Sequence, residues 1–138
     1  MAASRPPITC HVLDTTSGRP AAGIAVTLTL VSTTGGSAVG TGSFYAGTTD
    51  GDGRVTEWAA AGGAALADVF AKLREEGGGA AGPSSWALRF ETGPYYDAKG
   101  VEPFYPEVEL RFVVRRPEEH FHVPLLLGPY SYTTYRGS

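Results

Sequence analysis

Residues 108–135 read VELRFVVRRPEEHFHVPLLLGPYSYTTY, and the alternation within this stretch decides the fold class. Val108, Leu110, Phe112 and Val114 fall on one side of an extended chain, while Glu109, Arg111 and Arg115 fall on the other. A period of two is the signature of a strand with one apolar and one wet face. His120 to Leu127 and Tyr130 to Tyr135 read as two more strands. They are joined across Leu127-Gly128-Pro129, a hairpin connection in which glycine and proline break both.

The same period recurs upstream. Ile8, Cys10 and Val12 alternate with Thr9, His11 and Leu13, and Ile24, Val26, Leu28 and Leu30 alternate with Ala25, Thr27 and Thr29. Phe44 to Thr49 and Trp86 to Glu91 are further strand candidates, Pro94 to Gly100 reads as a short helix or turn, and residues 32–43 form a Ser/Thr/Gly-rich loop. Between Ala59 and Ser85 the pattern changes. Leu66, Val69, Phe70 and Leu73 recur at helical spacing between Gly62-Gly63 and Gly77-Gly78-Gly79, which predicts an inserted helix of about three turns on glycine hinges. Seven or so short strands with one or two helices point to an all-β, two-sheet sandwich in one domain spanning residues 1–138, with residues 59–83 as a Gly/Ala-rich helical insert. Flexible flanks predict that the insert is peripheral, so that deleting Gly62 to Gly82 leaves assembly and activity intact.

Composition narrows the function. With 138 residues, 42% hydrophobic and 18% charged, the chain can build a real core and is not disordered. Its 11 basic against 14 acidic residues give a net charge of −3, so no nucleic-acid or anionic-membrane partner is expected. No apolar run is long enough to span a bilayer and no secretory signal stands at the N-terminus. The cytoplasm is the default compartment; a peroxisomal address would end Ser-Lys-Leu, and the sequence ends Arg-Gly-Ser. The single cysteine, Cys10, rules out an internal disulfide and reads as a small core residue. Low charge with many aromatics suggests that other subunits cover part of the surface.

The chemistry-bearing residues are few. His120 and His122 share one strand face, opposite Phe121, Val123 and Leu125, and such a pair fits a metal site, an acid/base pair or two surface imidazoles. His11 faces away from the apolar side of its strand. Arg54 follows the turn Asp50-Gly51-Asp52-Gly53, which starts like a calcium loop but has Ala61 where the closing carboxylate belongs. There is no nucleophile elbow, no phosphate-cradling glycine loop and no carboxylate pair in an apolar setting.

Taken together these pieces resemble the transthyretin-related family, and within it the 5-hydroxyisourate hydrolases. The resemblance rests on His11-Val12-Leu13-Asp14 with Gly18-Arg19-Pro20-Ala21-Ala22-Gly23, on Asp52-Gly53-Arg54-Val55, on Phe104-Tyr105-Pro106, and above all on HFHVPLLLGPYSYTTYRGS at residues 120–138. The terminal Tyr135-Arg136-Gly137-Ser138 separates these hydrolases from the transthyretin hormone carriers. The resemblance implies a transthyretin-like (prealbumin-like) sandwich with one short helix, assembled as a homotetrameric dimer of dimers around a central channel. It also implies hydrolysis of 5-hydroxyisourate to 2-oxo-4-hydroxy-4-carboxy-5-ureidoimidazoline in urate breakdown, with no metal and no cofactor. By carry-over, His11, Arg54 and His122 are the catalytic set, with His11, Arg54, His120, Tyr135 and Ser138 contacting substrate. Two features depart from the family: Gly128 stands where serine is usual, and the insert at 59–83 is absent from compact members. The rival functions are a non-catalytic ligand carrier using the same channel, a zinc hydrolase built on the three histidines, and a sandwich module that only binds partners.

Overall fold

A computed structural model describes residues 5–34, 37, 39–76 and 82–138. The first half of the chain forms β1 (Ile8–Asp14), β2 (Arg19–Pro20), β3 (Ala25–Ser32), β4 (Phe44–Thr48), β5 (Arg54–Val55) and β6 (Ala59–Ala60). The second half forms α1 (Leu66–Glu76), β7 (Ser84–Phe90), α2 (Thr92–Asp97), β8 (Val108–Val114), β9 (Phe121–Leu127) and β10 (Tyr132–Thr134). The strands make two five-stranded sheets, one in the order β10-β9-β1-β2 with β5 also on β1, the other in the order β6-β4-β3-β7-β8.

Strands β1 and β9 run parallel from Ile8↔Phe121 to Asp14↔Leu127, without a break in register. That register sets Ile8, Cys10 and Val12 beside Phe121, Val123 and Leu125 on one buried face. The second sheet presents Val26, Leu28, Leu30, Trp86, Leu88 and Phe90 to the same core. Side chains from two sheets thus exclude water between them, as an all-β sandwich requires.

Three expectations are corrected. The last strand is only Tyr132–Thr134, because a four-residue turn closed by Gly128 N–H donating to Ser131 O at 2.8 Å takes up the residues before it. His120 stands one residue ahead of β9 rather than on it. Most important, the insert is not peripheral. It opens with β6, which pairs with β4, and α1 buries Leu66, Val69, Phe70 and Leu73 in the common core. The Phe70 ring lies 5.3 Å from that of Trp86, and Arg74 Nε donates to Pro117 O at 3.1 Å. An apolar stripe at helical spacing has to be covered by something, and here the sandwich covers it. The expected C-terminal hinge, Gly77-Gly78-Gly79, lies outside the described residues.

Candidate active site

The outer face of β1 and β9 carries what the core rejects. Thr9 pairs with His122 and His11 with Pro124 across the parallel ladder, so parity brings residues more than a hundred positions apart onto one surface. On the other side of β1, β5 sets Arg54 opposite His11. Two features hold Arg54 there. Asp50 Oδ1 accepts the backbone N–H groups of Asp52 at 2.9 Å and Arg54 at 3.0 Å, bonds that keep its carboxyl below the ordinary range. Gly53 has a φ of +74°, and a Cβ there would collide with the Val12 carbonyl oxygen, which only glycine avoids.

The chain end folds over the same face. Gly137 N–H donates to His122 O at 2.8 Å, and a Cβ on Gly137 would lie 2.7 Å from the His122 ring. The close approach buries Pro124 and sets Tyr135 and Ser138 at the rim. Arg136 points the other way, over the Phe121 ring and 3.2 Å from Glu119.

These elements enclose an open cavity of about 450 Å³. His11, Arg54, His120, His122, Tyr135 and Ser138, the residues singled out from the sequence, all line it. So do Arg5, Thr9 and Thr56, which the sequence reading passed over. Thr9 was findable, since it shares a strand face with His11. Arg5 sits in no periodic pattern.

Two arginines and three histidines line the cavity with no acidic side chain among the described lining residues, so it favours a small anionic ligand. The His11 and His122 rings are stacked at 24° with centroids 6.5 Å apart. Burial pushes the His122 imidazole down from its ordinary value, and the positive charges of Arg54, His11, His120 and Arg5 push the same way. His120 is lowered too, by burial and by Arg5, against a backbone hydrogen bond to Pro6 that raises it. Both rings therefore favour the neutral form, which can accept a proton. Among the described residues no group of three His, Cys, Asp or Glu is disposed to hold a metal ion.

A two-sheet sandwich with a basic, histidine-lined cavity on one outer face defines a transthyretin-like protein equipped with a polar site. A family model, that of the HIUase/Transthyretin family, matches residues 8–137, and the chain belongs to this family. It is 41% identical over 134 residues to a probable 5-hydroxyisourate hydrolase of Schizosaccharomyces pombe, covering 96% of this chain and 92% of that one. It is 37% identical to the 5-hydroxyisourate hydrolase of Mus musculus over the whole of both chains. The solved structure of the Klebsiella pneumoniae 5-hydroxyisourate hydrolase superposes with a TM-score of 0.61 at 25% identity, covering 95% of this chain and 98% of that one.

Proposed function

We infer that the chain catalyses the hydrolytic opening of the six-membered ring of 5-hydroxyisourate in urate breakdown, giving 2-oxo-4-hydroxy-4-carboxy-5-ureidoimidazoline. The observation that carries this reading is the convergence of His11, Arg54 and His122 in one basic cavity of a size suited to a small planar anion. Breaking a cyclic amide requires a nucleophilic water, stabilisation of the oxyanion formed at the carbonyl, and a proton for the departing nitrogen. One of the two facing imidazoles, His11 or His122, takes the water's proton, and the other orients the water or serves as proton donor. The Arg54 guanidinium holds the substrate anion and the developing oxyanion, for which its planar fork is suited. Tyr135 hydrogen-bonds the ring system, with His120 and Ser138 completing the substrate contacts. No step in this scheme calls on a metal or cofactor.

Assembly as a dimer of dimers is part of the proposal. The outer strands β8 and β10 together bound a second cavity of about 270 Å³, which shares His122 and Tyr135 with the first. Val113 and Tyr135 stand exposed there, the kind of apolar surface that a second copy covers. The proposed compartment is the cytoplasm; no helix among the described residues is long and apolar enough to cross a membrane.

The test is direct. Pure protein added to freshly generated 5-hydroxyisourate should accelerate its ultraviolet decay over the spontaneous rate, equally with and without a chelator. Decay at the spontaneous rate would refute the assignment, and chelator-sensitive decay would refute the metal-free scheme.

A further inference from the structure

Arg5 lines the same cavity as Arg54 but reaches it from the other side of β1. Two prolines stiffen its approach. In Arg5-Pro6-Pro7 the rings fix φ and keep each preceding residue extended, so the segment cannot coil away from the sheet. Pro7 O accepts the Phe121 N–H at 2.9 Å, and Ile8 O accepts the Trp58 indole N–H at 2.8 Å. The pairing Ile8↔Phe121 therefore carries Arg5 alongside the residues just ahead of β9, where His120 stands. Arg54 lies opposite His11, in the middle of β1.

The electrostatics follow the same division. After burial, Arg5 is the charge that lowers His120, whereas Arg54 leads the charges acting on His122. Neither arginine is neutralised within the chain. Arg89, Arg111 and Arg136 each meet a glutamate carboxylate, while Arg5 and Arg54 form no ion pair among the described residues. Two separate, unpaired guanidiniums on one cavity suit a ligand with acceptor oxygens at both ends better than a single compact anion.

We propose that Arg5 is a substrate-binding residue that grips the end of the bicyclic substrate remote from Arg54. This deepens the hydrolase reading and rests on it. With Arg54 on the six-membered ring that opens, Arg5 holds the carbonyl oxygen of the five-membered ring, where no bond is made or broken. The contact is the same before and during the reaction, so it sets affinity and selectivity rather than turnover.

Steady-state kinetics of the full-chain Arg5→Gln variant should show KM raised about tenfold or more, the scale of one charged hydrogen bond, with kcat within about twofold of the parent. Its thermal transition should not move, since Arg5 is exposed. Arg5→Lys should recover part of the loss. Calorimetric titration tests the remote end without turnover, using two monoanions: urate, which has both rings, and barbiturate, which has only the six-membered one. The parent should bind urate more tightly, and Arg5→Gln should erase that preference while barbiturate affinity changes far less. An unchanged KM in folded Arg5→Gln overturns the proposal. So do equal losses of urate and barbiturate affinity, which a general positive field would give and a grip on the second ring would not. If the parent fails to hydrolyse 5-hydroxyisourate, the hydrolase reading falls by itself, and the titrations still decide whether Arg5 holds the second ring. In a parent that neither hydrolyses 5-hydroxyisourate nor binds urate, both fall.

Discussion

Cys10 and His11 are neighbours in β1, yet they live in different solvents. The Cys10 side chain is fully buried between the sheets, and that burial pushes its thiol up to about 12, only partly offset by a backbone hydrogen bond with Val55. Such a thiol is a packing group, since the nucleophilic thiolate is out of reach at neutral pH. The His11 ring, one residue on, stands on the outer face opposite Arg54 and stacked with His122. Strand parity alone sorts the two. A slip of one residue in the pairing of β1 with β9 would send the imidazoles into the core and the apolar side chains into the cavity, so the register that builds the core also builds the site.

The largest effect should come from the outer face. Replacing His122 with Ala should lower the catalysed rate by about 10²-fold or more with the thermal transition almost unchanged, as expected for a positioned acid/base group. Arg54→Lys should also be damaging, because an ammonium cannot copy the guanidinium fork. Steady-state kinetics alongside circular dichroism would separate the two quantities. A folded His122→Ala protein with near-normal turnover would remove the outer face from the chemistry.

Inner-face changes should do the reverse, and α1 provides the strongest case. Phe70 is fully buried against Trp86, so Phe70→Ala should destabilise the protein by about 3–5 kcal/mol in denaturant unfolding. Deleting Gly62 to Gly82 should likewise cost stability. A deletion variant as stable as the parent would return the helix to the periphery.

The two faces also differ in their response to pH. The His122 pKa is lowered in the folded state, so the unfolded chain binds its proton first as the medium is acidified. The sign follows: stability from this group is intact above the unfolded value of about 6.5 and is lost as pH falls below it. Activity that needs neutral His122 should hold to a lower pH than an ordinary histidine allows, then drop about tenfold per unit. A rate profile whose acid limb sits above about 6.5 would contradict the neutral His122.

Much of this arrangement was legible because period-two patterning survives in a single sequence. The core faces of β1, β3, β8 and β9 follow from it, as do the outward positions of His11 and His122. Which strands would lie side by side was not readable, since β1 and β9 are a parallel, non-local pair and nothing local encodes their register. Thr9 shares an outward face with His11 in the local pattern, but that it stands opposite His122 follows only from this register. The helix is legible as a helix, from Leu66, Val69, Phe70 and Leu73, but its flanking glycines read as the hinges of a peripheral insert. Burial decided otherwise.

The smallest effect should fall on Cys10, and it tests the comparison most sharply because the residue adjoins His11. Cys10→Ala removes one buried sulfur, which should cost about 1 kcal/mol of stability, the ordinary scale for a small core truncation. Its kcat and KM should match those of the parent, while His11→Ala should lose rate and keep stability. Thiol reagents should leave the folded protein unmodified and fully active, since the sulfur is both inaccessible and protonated. The paired outcome matters more than either alone. If Cys10→Ala lost activity at unchanged stability, the thiol would belong to the chemistry, and the division of β1 into a packing face and a reacting face would fail at its central residue.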